Sequence, residues 1–245
     1  MSGTVARNSA MMAVRRPHKD QIDEHLWSRV TADLLAGAAP WRTFRWRHGQ
    51  KHYSGTYWSA TEASHVIYES RLELSRLLIA DFDRSVKHIV AQPFLLRATV
   101  DRKLRKHIPD YLLLTDDGPV VVDVKPRARM ARPAVQSTFA WTRELVESVG
   151  WRYEVANEAA PVMVENVRFL AGYRRPWLFA PALLAELRNG IVDNVPFREA
   201  CSMVTSWPAP LVRSAILHLM WVQHFGVDVT QPLNSQMVLV RREGT

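Results

Sequence analysis

Cysteine is almost absent. Cys201 is the single one among 245 residues, so no disulfide can close within the chain, and a reducing compartment is implied. Nine histidines are scattered without any Cys/His spacing that would hold zinc. No apolar run approaches the ~18 residues of a membrane span, and the N-terminus lacks the apolar stretch of a secretory signal. The expectation is a soluble cytoplasmic protein with no membrane partner. Internal repeats and low-complexity tracts are missing too. Acid is lacking over one long segment, Leu34 to Thr61, in which Arg42, Arg45, Arg47 and Lys51 interleave with Trp41, Phe44, Trp46, Tyr53, Tyr57 and Trp58. Arginines for phosphates and aromatics for stacking suit nucleic-acid contact. The competing account is a basic surface segment whose aromatics are core, and for Tyr57 and Trp58 that account is preferred.

What is present points to a globular protein: 47% of residues are hydrophobic, enough for one good core and a small second domain. The net charge of +8 favours an anionic partner. A second basic run, Arg97 to His107, holds Arg102, Lys103 and Arg105 and reads as a strand–turn–strand edge over the active face. It is either a phosphate contact or a solvated loop.

Directly after that run come Pro109-Asp110 and, past a turn, Asp123-Val124-Lys125. Residues 111–114 and 119–124 are short apolar runs around Thr115-Asp116-Asp117-Gly118, which is a hairpin signal. A loop of Asp117-Gly118 sets Asp110 opposite Lys125, and a loop of Asp116-Asp117 sets it opposite Asp123. Side chains alternate along a strand, so either register puts Asp110, Asp123 and Lys125 on one face. Two carboxylates so close repel unless a cation lies between them, and hard oxygen ligands favour Mg²⁺, with Mn²⁺ as substitute. Lys125 would orient the attacking water or stabilise charge on a phosphate. The bland alternative is a surface aspartate pair salt-bridged by the lysine. The buried-looking run Val120-Val121-Val122 speaks against it.

Elsewhere, residues 1–20 read as a disordered basic arm and 21–36 as a short helix. Ser64 caps a helix running to about Ala80, and 88–100 is strand broken at Gln92-Pro93. A proline-bounded basic loop (126–133) leads into a helix over 134–149 closed by Gly150. A strand over 151–155 and a helix over 162–171 complete an α/β sandwich around one mixed sheet. Beyond Tyr173, helices at 181–189, 196–204 and 209–224 and a ribbon within 228–241 have the layout of a winged-helix module. The division expected is a basic arm and aromatic segment (1–50), a catalytic domain (51–173), and a partner- or DNA-contact domain (174–245). The third C-terminal helix is mostly apolar, which favours protein contact or packing over groove reading.

A two-metal nuclease usually draws a further acid from a helix beside the sheet. Glu69 and Glu73 lie one turn apart on the expected helix, and spacing alone does not choose between them. Both are otherwise ordinary helix acids for Arg71 or Arg76. A set of motifs does choose. Tyr57-Trp58-Ser59, Ser70-Arg71-Leu72-Glu73-Leu74, Ala80-Asp81-Phe82-Asp83, Gln92-Pro93-Phe94, Pro109-Asp110 and Val122-Asp123-Val124-Lys125-Pro126 follow in that order. Over roughly residues 50–175 the chain resembles the TnsA family, endonuclease subunits of heteromeric transposases of the Tn-seven type within the PD-(D/E)xK nucleases.

The resemblance implies a restriction-endonuclease-like mixed sheet flanked by helices, with a small winged-helix-like C-terminal domain. It maps the helix acid to Glu73, leaving Glu69 a supporting place, and the remaining site to Asp110, Asp123 and Lys125. Metal would be held by Glu73, Asp110 and Asp123 with the Val124 carbonyl. It implies cleavage of double-stranded DNA at the 5′ ends of a transposon, beside a DDE-type transposase and an ATPase regulator. Two other readings stand: a stand-alone nuclease of the same fold in restriction or repair, and a non-catalytic DNA-binding adaptor.

Overall fold

The computed structural model describes residues 5–17, 21–42, 53–191 and 193–242. It divides into two compact units. The first holds the chain to Asp81 and from Ser85 to Glu158, and the second holds Phe82–Arg84 and the chain from Ala159. The expected border near residue 173 therefore moves to Glu158/Ala159, and the helix expected at 162–171 belongs to the second unit.

Unit 1 contains, in order, β1 (Met11–Arg15), β2 (Ile22–Leu26), α1 (Ala32–Ala36), β3 (Gly55–Ser59), β4 (Ser64–Tyr68) and α2 (Arg71–Phe82, its last residue in unit 2). It continues with β5 (Val86–Ala91), β6 (Leu95–Val100), β7 (Lys103–His107), β8 (Tyr111–Thr115), β9 (Gly118–Val124), α3 (Arg127–Met130), α4 (Pro133–Ser148) and β10 (Arg152–Ala156). One expected sheet is in fact two four-stranded ones, ordered β2-β1-β6-β7 and β10-β9-β8-β5, with β3 and β4 forming a separate hairpin.

The residues expected to form a disordered arm supply an interior strand. Met12 and Val14 are fully buried, β1 pairs with β2 on one side and β6 on the other, and the Trp27 indole donates to the Leu145 carbonyl at 2.7 Å. The apolar run there is short, Ala10-Met11-Met12-Ala13-Val14, and easily lost among arginines. The helix expected over 21–36 is confined to α1, capped by Thr31, whose Oγ1 accepts from the Leu34 N–H at 3.3 Å. The helix expected from Ser64 starts at Arg71, because Ser64–Tyr68 is strand. His-Val-Ile-Tyr is β-branched and aromatic, and pairing with β3 satisfies that preference.

The core of unit 1 packs α4 against both sheets through Leu96, Leu112, Val121, Leu145, Val146 and Phe94. Strand β9 is interior, antiparallel to β8 and parallel to β10, which accounts for its unbroken Val120-Val121-Val122. Helix α4 makes the crossover from β9 to β10. It ends as a Schellman cap: Gly150 at φ +79° donates to Glu147 O and Trp151 donates to Val146 O.

Unit 2 contains α5 (Pro161–Leu170), α6 (Pro181–Gly190), β11 (Val195–Pro196), α7 (Phe197–Met203), α8 (Ala209–Trp221), β12 (Phe225–Gly226) and β13 (Val238–Arg241). Its antiparallel sheet has the order β11-β13-β12, so the ribbon expected within 228–241 pairs instead with segments outside that range. Helix α8 is apolar because it is interior: Ala215 to Trp221 are all buried. Among the described residues no helix is long and apolar enough to cross a membrane.

Candidate active site

The β8–β9 hairpin has the second of the two registers weighed above. Thr115 pairs with Gly118 across Asp116-Asp117, and Tyr111 with Val122, so the next step sets Asp110 opposite Asp123. Neither loop aspartate has positive φ, and Gly118 takes φ +100°, so the left-handed position that closes the loop falls on the glycine. At the open end of the hairpin the Asp110 carboxylate accepts from the Val124 N–H at 2.6 Å. The Lys125 N–H donates to Ala156 O at 2.9 Å, so the lysine backbone is held by the end of β10.

Helix α2 brings the third acid. Ser70-Arg71-Leu72-Glu73 caps the helix with a variant of the capping box: the Glu73 N–H donates to Ser70 Oγ at 3.1 Å, while Glu73 Oε2 accepts from the N–H of Glu69, the residue before the cap, at 2.7 Å. The Ser70 hydroxyl also donates to Glu73 Oε1 at 2.8 Å. One turn on, Arg76 makes a bidentate ion pair with Glu154 of β10, both contacts 2.9 Å, which ties α2 to the sheet. Arg76, three residues after Glu73, is thus committed to Glu154.

Electrostatics join these groups. Burial, then the charges of Asp123 and Glu73, push the Asp110 carboxyl well above the ordinary carboxylate range, and Lys125 pulls against them. Burial likewise raises Glu73, opposed by its hydrogen bonds from Glu69 and Ser70 and by Lys125. Glu73, Asp110, Asp123 and Lys125 therefore form one coupled cluster at one end of the sheet.

Asp123 is 2% exposed, and its partners are groups that local pattern did not single out. His107 Nε2 lies 2.9 and 2.8 Å from its two oxygens, and the Tyr153 hydroxyl donates to Oδ2. His107 is set edge-on against Trp141 of α4, and the Arg143 guanidinium lies over the Tyr153 ring. Burial, followed by the Asp123 charge, raises the Tyr153 phenol, so it stays a donor. Alternation held the only signal for either. Tyr153 pairs with Val121, two residues before Asp123 on the same face, and His107 ends the basic run.

Gln92 is the other unforeseen contributor. It is buried at φ +48°, where β5 stops before Pro93. Its N–H donates to Asp110 O (2.9 Å), its Nε2 to Glu69 Oε1 (3.0 Å), and its Oε1 accepts from the Arg42 N–H (2.7 Å). Arg42 also pairs with Glu69 at 2.8 Å, which gives Glu69 a supporting place. The other candidate DNA contacts of that segment, Arg45, Arg47 and Lys51, lie outside the described residues. Arg102, Lys103 and Arg105 lie on the β6–β7 hairpin and are exposed; its turn is Asp101-Arg102, both at positive φ.

Among the described residues no group of three His, Cys, Asp or Glu side chains is arranged to hold a metal directly. The chemistry of the donors fits a hard divalent cation: three carboxylates on shared ground, one of them raised by its neighbours' negative charge. Asp123 is occupied by His107 and Tyr153, so its part in such a site would be shared with them. No protein-family model matches the chain, and no curated protein matches it.

Proposed function

We propose that unit 1 is a metal-dependent DNA endonuclease of the restriction-endonuclease-like type, related in role to the TnsA-like subunit that the chain resembles. The observation that carries the proposal is the mutual electrostatic influence of Glu73, Asp110, Asp123 and Lys125, drawn from a helix N-terminus and two strand ends into one half-buried cluster around the buried Asp123. Mg²⁺, or Mn²⁺ in its place, would be held by Asp110, Asp123 and Glu73 with the Val124 carbonyl, and when bound would supply Lewis acidity and an activated water. The Lys125 ammonium orients that water or faces the negative charge of the phosphodiester. The Val124 N–H fixes one Asp110 oxygen and leaves the other for a ligand.

On the same reading the substrate is double-stranded DNA at transposon 5′ ends, and the partners are a DDE-type transposase and an ATPase regulator in the cytoplasm. Unit 2, with its order helix–strand–helix–helix–strand–strand from α6 to β13, is read as winged-helix-like and suited to partner or DNA contact. The engagement of Asp123 by His107 and Tyr153 favours one second reading, a DNA-binding adaptor that does not cleave.

A nicking assay with magnesium and with the transposase present decides between them. Asp110→Ala and Lys125→Gln should each lower the rate at least ~100-fold while duplex binding stays. Nicking by either variant at the wild-type rate would overturn the site, and absence of nicking by the wild type would leave the adaptor.

A further inference from the structure

His107 touches Asp123, and that contact fixes which way β7 faces. Side chains alternate along a strand, so Lys103 and Arg105 share the face of His107, while Leu104 and Lys106 point the other way. Cross-strand pairing agrees: Lys103, Arg105 and His107 stand opposite the buried Val100, Ala98 and Leu96, and Lys106 stands opposite Arg97. Arg97 is already neutralised on that other face by Glu24, at 2.6 Å. Lys103 and Arg105 are exposed and have no carboxylate partner among the described residues, and β7 is the outer strand of its sheet. Steps of about 7 Å separate Lys103, Arg105 and His107 along the strand. That is close to the separation of neighbouring phosphates along one DNA strand.

We propose that β7 is a phosphate rail, in which Arg105 and then Lys103 bind consecutive backbone phosphates of duplex DNA leading away from the site beside His107. The inference rests on the nuclease reading for what happens at the site, and adds which cations hold the substrate there. It divides the basic run by face: Lys103 and Arg105 contact DNA, whereas Lys106 does not. A solvated basic loop would show no such division.

The test is fluorescence anisotropy of a labelled double-stranded DNA oligonucleotide with the full chain, titrated over NaCl. Each phosphate contact contributes about 0.9 to the slope of log K against log salt. Lys103→Gln with Arg105→Gln should therefore flatten the slope by about 1.8 and weaken binding several-fold. Lys106→Gln should leave both unchanged, and Arg105→Lys should retain the slope. Equal effects from Lys106→Gln and Arg105→Gln would overturn the rail even if the wild type nicks DNA. The face-dependent pattern in a protein that does not nick would support the rail and sink the nuclease instead. A wild type that fails to bind the duplex overturns both.

Discussion

Asp81 sits at the centre of the motif Ala80-Asp81-Phe82-Asp83, and its side chain is a junction between α2 and the β3–β4 hairpin. Oδ1 accepts from Ser59 Oγ at 2.6 Å and from the Thr61 N–H at 2.8 Å. Oδ2 accepts from the Tyr57 hydroxyl at 2.7 Å and from the Ala60 N–H at 3.0 Å. The group is buried, and four donors converge on two oxygens. Asparagine has the same shape but turns one oxygen into an obligate donor. Whichever way it faces, one backbone N–H meets an N–H₂ and is left unpaired, at about 1–3 kcal/mol. The hydroxyl on that side can rotate to accept. The two bonds on the remaining oxygen lose their charge assistance, at roughly 1 kcal/mol each. Removal of a buried charge offsets part of the sum. Asp81→Asn should therefore cost about 2–4 kcal/mol, read as a lower urea midpoint at unchanged m value. Hydrogen exchange should quicken first in Gly55–Tyr68, the hairpin that loses its anchor. A shift below ~0.5 kcal/mol would refute the account of Asp81 as a structural junction.

Two further outcomes concern the site. In chelated solution Asp110 binds its proton more tightly folded than unfolded, because burial, Asp123 and Glu73 raise its pKa. Its contribution to stability is therefore fully present below the unfolded value of 3.8 and is lost as pH rises from there through the raised folded value. Asp110→Asn should remove that component and leave the metal-free protein more stable at neutral pH; urea midpoints for the two proteins compared across the acid range check the sign, and a less stable variant refutes it. Tyr153→Phe deletes one donor to Asp123 and little volume, so it should weaken Mn²⁺ binding about tenfold by calorimetry while leaving duplex binding untouched. Unchanged Mn²⁺ affinity would mean that Asp123 serves packing only.

Local rules carried far in this chain wherever the deciding partners are near in sequence. The face shared by Asp110, Asp123 and Lys125 follows from alternation and a two-residue loop, and Gly150 closes its helix because only a left-handed residue completes that cap. The three C-terminal helices were legible for the same reason. Where the deciding partner is remote, local rules failed. Met11–Arg15 pairs along its length with the nearby β2, and it becomes an interior strand because β6, some eighty residues on, takes its other side. Ser64–Tyr68 mixes helical spacing with β-branched residues; its partner β3 is near in sequence, so there the miss lies in reading spacing over β-branching. Ser-x-x-Glu before an apolar run marks a helix start at Ser70, yet the helix is expected from Ser64, because the strand residues between happen to keep helical spacing. Asp123 meets His107 and Tyr153 across two sheets, and no pattern within a strand predicts that. Gln92 was visible only as a break before proline, although its side chain joins Arg42, Glu69 and the Asp110 backbone.

The charges of the cluster do not balance by themselves. Three carboxylates face one lysine, and Arg76 and Arg42 are committed to other acids, Arg76 to Glu154 and Arg42 to Glu69. Burial makes the excess negative charge costly, and the protein relieves it in two ways. His107 and Tyr153 bring donors to Asp123, and Asp110 holds its proton beyond the usual range. A divalent cation at the same carboxylates would relieve the excess in a third way, and it would compete with the proton on Asp110 rather than with the donors on Asp123. Cation binding and deprotonation of Asp110 are then linked, so affinity should rise with pH until Asp110 is ionised. On the metal-site proposal the hairpin divides the labour: Asp123, deep and held by His107 and Tyr153, would keep its place, while Asp110, held through one oxygen by Val124, would be the acid that exchanges its proton for a metal.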